Sequence, residues 1–207
     1  EDYGKGVCTP ELCRHIISAA RAADVAVLVD PAMIDDYTRY TGATVMTPNR
    51  TEAARACATL REEAPPTDPR DMAELLLEAL ELDAILITLD RDGMLVLERG
   101  GTAEQVPTVA RGVYDVTGAG DMVLAAVAAA RAHGVTWADA ARLANAAAGL
   151  EVERFGAQPI PLAEVMQEVV RTLIKPSGKV RTRDELVLEV EAHRSAGRRI
   201  VLTNGCF

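Results

Sequence analysis

Short apolar runs alternate with segments of helical spacing along most of the chain. Residues 11–23 repeat at helical intervals, and residues 25–29 (VAVLV) form a continuous apolar run closed by Asp30-Pro31. Such a run is expected of a strand buried on both faces. A second short strand is predicted over 44–46, ending at Thr47-Pro48-Asn49. Residues 51–60 read as a helix, 61–69 as a polar, proline-rich surface loop, 71–81 as a helix and 84–88 (AILIT) as a third strand. Two more strands, 94–98 and 104–109, flank a turn at Gly100-Gly101. Helices follow over 122–133, 137–152 and 162–172. This alternation predicts an α/β fold with a mainly parallel sheet flanked by helices. Ligands of such sheets bind beyond the C-terminal ends of the strands, where the pattern puts Asp30, Asn49 and Thr88.

The pattern changes near the end. Residues 175–183 begin with a basic, Gly- and Pro-containing stretch of linker type. Residues 184–196 read as an amphipathic helix stopped by Gly197, and 199–203 (RIVLT) as a strand running into Asn204-Gly205-Cys206-Phe207.

The chemistry concentrates in Asp115-Val116-Thr117-Gly118-Ala119-Gly120-Asp121, just before an alanine-rich helix. Gly118 and Gly120 carry no Cβ, so the backbone can turn tightly and approach a ligand closely. Free N–H groups and the positive end of the helix dipole converge there and suit an anion. A carboxylate at that spot repels a phosphate, so Asp121 makes sense as a base that takes a proton from a hydroxyl attacking phosphorus. No Walker A loop occurs, and the third glycine of a dinucleotide fingerprint is missing.

DVTGAGD resembles the C-terminal signature of the ribokinase-like (PfkB) carbohydrate kinases. The resemblance implies a ribokinase-like fold, ATP and Mg²⁺ as cofactors, Asp121 as catalytic base, and an anion hole from Gly118, Ala119 and Gly120 beside Thr117. Asn49 and Glu52 in Thr47-Pro48-Asn49-Arg50-Thr51-Glu52 look like the family's N-x-x-E element, where the Glu organises Mg²⁺ through water; a helix cap with Glu52 at N3 is the alternative. Thr88 and Gly93 are similar to the T-x-G-x-x-G turn under the nucleotide, with Asp90 in place of the first glycine. Asn145 in Ala144-Asn145-Ala146 matches a position near the base, and packing through small residues competes with that reading. Asp115 and the loop near Gly156 match the positions of a monovalent cation, K⁺ in this reading.

Asp2-Tyr3-Gly4-Lys5-Gly6, Val29-Asp30-Pro31, Arg39-Tyr40-Thr41-Gly42-Ala43-Thr44 and Thr47-Pro48-Asn49 look like the heptose-7-phosphate kinases of the bifunctional heptose kinase/adenylyltransferase group. Lys5 is either a phosphate contact or a solvated lysine. The terminal T-N-G-C-F is similar to the opening of a cytidylyltransferase-like, Rossmann-like nucleotidyltransferase domain. The resemblance therefore implies residues 1–174 as the C-terminal part of a kinase domain, 175–183 as linker and 184–207 as the start of a second domain, in a chain that is an internal fragment. It also implies a sugar phosphate acceptor, a place in ADP-heptose and lipopolysaccharide core synthesis, and a homodimer in the complete protein. Another ribokinase-like sugar kinase and a non-catalytic nucleotide-binding fragment are the rival readings.

Composition narrows the surroundings. Thirty-one acidic residues against 22 basic ones disfavour nucleic acid as a partner. No apolar run reaches membrane-span length, and no signal peptide is visible. Cys8, Cys13, Cys57 and Cys206 form no C-x-x-C pair and read as free thiols of a cytoplasmic protein. His15, His133 and His193 are scattered and read as non-ligands.

Overall fold

The computed structural model describes residues 1–61, 64–108, 117–156, 159–173, 182–195 and 197–203 of the 207-residue chain. It divides into two compact units, Glu1–Pro159 and Ile160–Phe207.

The first unit holds a five-stranded sheet in the order β1-β2-β3-β4-β5. The strands are β1 (Leu28–Val29), β2 (Val45–Met46), β3 (Ala84–Thr88), β4 (Met94–Glu98) and β5 (Glu104–Val106). β1, β2 and β3 run parallel, whereas β3–β4 and β4–β5 are antiparallel. The sheet is therefore mixed. Connection length explains this. Two helices, α2 (Arg50–Leu60) and α3 (Pro69–Ala79), carry the chain from β2 to β3, while only a short turn links β3 to β4. Such a turn cannot return the chain for a parallel pairing.

β3 shows how the layers form. Its side chains alternate between faces. Ile85 and Ile87 join Cys57, Leu76 and Leu97 in one apolar cluster. Ala84 and Leu86 join Val123, Val127, Trp137 and Ala144 in another. The second cluster is closed by α4 (Ala119–Ala132) and α5 (Trp137–Glu151), which pack closely through alanines. Arg131 lies over the Trp137 ring, 4.1 Å from its centroid. The first helix, α1 (Pro10–Ala22), starts at Thr9, whose hydroxyl caps Leu12 N–H.

The predicted strand at 25–29 contracts to Leu28–Val29. Val25 N–H donates to Ala20 O in the turn after α1, and the Val25 side chain is exposed. Val27 N–H is taken by the Thr44 hydroxyl rather than by a strand.

The second unit packs α6 (Leu162–Leu173) with α7 (Arg183–Ser195). The expected strand at 199–203 is not formed; Val201 and Leu202 are exposed. A strand exists only with a hydrogen-bonded neighbour, and the described residues of this unit offer no other extended segment. Asn204-Gly205-Cys206-Phe207 and most of the proposed linker lie outside the described residues. Among the described residues, no helix is long and apolar enough to cross a membrane.

Candidate active site

A cavity of about 390 Å³ opens beside the C-terminal end of β3 and the N-terminus of α4. Its walls include Asn49, Thr88, Gly93, Ala119, Gly120 and Asn145. The size lies within the range of small-molecule sites. Asn49 and Thr88 are neighbours across a parallel bridge, and Thr88 N–H donates to Pro48 O at 2.9 Å. The T-P-N segment and the start of the Thr88 turn thus share one wall.

Gly118 is the N-cap of α4 with φ +88°, in the left-handed region that glycine tolerates. Gly118 brings no side-chain cap of its own, and the N–H groups of the first turn have no intrahelical acceptor and lie at the cavity mouth. Asp121 sits at the third helical position and is exposed. A Cβ on Gly120 would lie 3.4 Å from Asp30 Oδ2, so the Asp30 carboxylate lies against the bare backbone of this turn.

Glu1, Asp30 and Asp121 each bring a carboxylate oxygen within 4.8 Å of the others. Half-buried Asp30 carries the cost. Burial, then the Glu52 and Glu1 carboxylates, push its carboxyl from 3.8 up to about 7, against the Thr47 hydroxyl bond at 3.4 Å. The Tyr3 hydroxyl donates to Asp121 Oδ1 at 3.3 Å. The Glu1 carboxylate, burial and Asp121 push that phenol up to about 12, so it remains a donor at neutral pH.

Glu52 and Asn49 form a complete capping box on α2. Asn49 Oδ1 accepts from Thr51 and Glu52 N–H, both at 2.9 Å, and Glu52 Oε2 accepts from Asn49 N–H at 2.7 Å. Burial raises the Glu52 carboxyl, and the Asn49 bonds oppose this. The cap and the metal-organising reading are compatible, because Oε2 is engaged while Oε1 has no bond of the cap. That donor set suits a water of a hydrated hard cation.

The turn after β3 is tightly fixed. Asp90 has φ +53° and Gly93 φ +89°. A Cβ on Gly93 would fall 2.1 Å from Val106 O and 2.7 Å from Thr108 N. Asn145 donates from Nδ2 to Val106 O at 3.0 Å, tying α5 to β5 at the cavity wall. Its amide is therefore partly structural, and its packing role is real.

The profile of "pfkB family carbohydrate kinase" matches residues 4–163. The chain belongs to the pfkB family of carbohydrate kinases. It is 42% identical over its whole length to the "Bifunctional protein HldE" of Geotalea uraniireducens and 43% identical to that of Geobacter sulfurreducens. It spans about two fifths (41%) of the length of each. Its fold is similar to that of Arabidopsis thaliana ribokinase complexed with ribose and ATP (TM-score 0.67, 24% identity, 78% of this chain and 53% of that one). It is equally similar to Escherichia coli phosphofructokinase-2 in complex with substrates and products (TM-score 0.67, 20% identity, 79% and 52%).

Within this pfkB chain, the residues singled out from sequence gather at one end of the sheet. Asn49, Thr88, Gly93, Ala119, Gly120 and Asn145 line one cavity, with Gly118 and Asp121 on the same turn of α4. Thr117 is exposed beside that turn. Asp115 lies outside the described residues, and Gly156 is a partly buried bend glycine with φ +72°. Sequence reasoning noted Asp30 only as a strand end and missed its place against Gly120. It also read Asp2 and Tyr40 as markers of kinship, whereas the two touch. Tyr40 hydroxyl donates to Asp2 Oδ2 at 2.6 Å in the buried interior. No spacing in the sequence signals the contact, because the two residues are 38 positions apart.

Proposed function

We propose that the complete protein is an ATP-dependent sugar kinase acting on D-glycero-β-D-manno-heptose 7-phosphate at its anomeric hydroxyl, giving the 1,7-bisphosphate. The observation that carries the kinase reading is Asp121 on the first turn of a helix whose N-cap is a left-handed glycine, at the mouth of a cavity. The heptose assignment rests on the D-Y-G-K-G, Y-T-G-A and T-P-N motifs and on the similarity to the bifunctional relatives. It places the reaction in ADP-heptose and lipopolysaccharide core synthesis, in the cytoplasm.

ATP with Mg²⁺ supplies the phosphoryl group and neutralises its charge when bound. The chain supplies the rest. Asp121 takes the proton from the acceptor hydroxyl, a contribution of about 10²–10⁴ in rate. Backbone N–H groups from Gly118 to Asp121 hold the transferring oxygens, where one donor is worth about 3–4 kcal/mol. Glu52 would orient a water of the Mg²⁺ shell, Asn49 and Thr88 shape the same wall, and Gly93 lets the backbone close under the nucleotide. Asn145 would face the base, and Asp115 with the Gly156 loop would hold K⁺. Residues 1–174 belong to the kinase domain, 175–183 link it, and 184–207 open a nucleotidyltransferase domain; the complete protein is a homodimer.

A substrate panel on the complete protein tests this reading. Turnover of heptose 7-phosphate well above ribose and fructose 6-phosphate is expected. Preference for another sugar would leave the Asp121 chemistry standing and remove the heptose assignment.

A further inference from the structure

The D-Y-G-K-G segment lies beside the first turn of α4 and has no task in the mechanism above. Its anchor is Asp2, a carboxyl side chain that is only 8% exposed. The Asp2 N–H donates to Asp30 O at 2.9 Å, Oδ1 accepts from Gly4 N–H at 2.7 Å, and Oδ2 accepts from the Tyr40 hydroxyl at 2.6 Å. Arg39 Nη1 lies 3.9 Å from Oδ2 and also donates to Cys8 O at 2.8 Å. A buried carboxylate with this many partners fixes the backbone around it, because losing one would leave a desolvated charge.

The clamp decides where the next side chain goes. Tyr3 is largely exposed, so packing does not hold it. Even so, its hydroxyl reaches Asp121 Oδ1 at 3.3 Å, from a residue 118 positions away in sequence, with the Glu1 carboxylate beside the same hydroxyl. Lys5 Nζ stands 5.9 Å from the centroid of the Tyr3 ring, within cation–π range. The ring is thus braced by its own segment.

We propose that Tyr3 is a positioning residue for Asp121. Its O–H holds Oδ1 and leaves Oδ2 turned toward the hydroxyl to be phosphorylated. A phenol suits this task, since a cation in its place would pair with the base and weaken it. Asp2, Tyr40 and Arg39 act one step further back by fixing the segment that presents Tyr3. The two sequence motifs, D-Y-G-K-G and the one containing Tyr40, are on this view halves of one device. The inference rests on the reading of Asp121 as the base.

The test uses the complete protein with heptose 7-phosphate and ATP, comparing wild type, Tyr3→Phe, Asp121→Asn and the double variant. Tyr3→Phe removes only a hydroxyl from an exposed ring, so its melting temperature should match wild type. The expected result is a kcat lower by about tenfold, the loss of one hydrogen bond to a charged group, with KM for both substrates unchanged. In the Asp121→Asn background the same change should cost nothing further, because the partner is already gone. Asp2→Asn, which loosens the clamp, should reproduce the kcat loss. Wild-type kcat in Tyr3→Phe, beside a collapsed Asp121→Asn, would overturn the proposal and leave Asp121 as the base. A further tenfold loss in the double variant would also overturn it, since Tyr3 would then act elsewhere. Full activity in Asp121→Asn would remove both readings.

Discussion

Two turns border the cavity, and they solve the same backbone problem differently. At the start of α4, Gly118 takes φ +88° with no side chain to accommodate. After β3, Asp90 takes φ +53° where the pfkB-like pattern has glycine, and Gly93 closes the turn at φ +89°. In the function proposed above, the first turn leaves its N–H groups open to a ligand. The second is packed against β5 so closely that a Cβ on Gly93 would overlap Val106 O. On that proposal one turn is shaped by chemistry and the other by packing, although both read as glycine-rich motifs. Asp90 survives in the left-handed region because aspartate is among the few residues that visit it at modest cost.

This contrast can be broken at either turn. Asp121→Asn should lower kcat by about 10²–10⁴ in the complete protein while ATP affinity, measured by calorimetry, stays near wild type. A large effect on binding instead would make the first turn a packing feature too. Gly93→Ala should act on the fold, costing about 2–4 kcal/mol of stability through a backbone clash added to a positive φ. A denaturant titration measures it, and a neutral result would mean that β5 can move away. pH sharpens the picture at Asp30, which abuts Gly120. Its carboxyl stands at about 7 in the folded protein against 3.8 ordinarily. The folded state thus binds more protons between those values. The contribution of Asp30 to stability is full below about pH 4 and is lost as pH rises through about 7. Asp30→Asn should flatten that slope in pH-dependent melting curves. The smallest effect belongs to Asp90→Gly, which relieves the left-handed strain but frees the unfolded chain. A change within about 1 kcal/mol is expected by the same titration.

Much of the fold was legible because it is local. Strands β3 and β4 have the bounds that their apolar runs predict, and the α4 and α5 positions follow from alanine-rich helical spacing. The failures are non-local. Residues 25–27 are apolar, but Val25 is held by the turn after α1, and Val27 N–H goes to the Thr44 hydroxyl, so the strand does not extend through them. Residues 199–203 have strand composition and no partner among the described residues. The antiparallel half of the sheet follows from two short connections, of which the Gly100-Gly101 turn is legible in the sequence and the one after β3 is not registered by periodicity. In the site, the residues around Gly118 and Thr88 were legible as motifs with turn chemistry. Asp30 beside Gly120, Tyr3 on Asp121 and Tyr40 on Asp2 were not, since each joins residues far apart in sequence. The Asn49–Glu52 pair was legible twice over, as cap and as metal element, and the cap is present in full.

The most direct test of the central claim is phosphorus NMR of the complete protein with heptose 7-phosphate, Mg²⁺ and ATP, run beside its Asp121→Asn variant. The account predicts a new anomeric phosphate resonance from the wild-type protein and none on the same timescale from the variant. Equal growth of that resonance in both samples would contradict it.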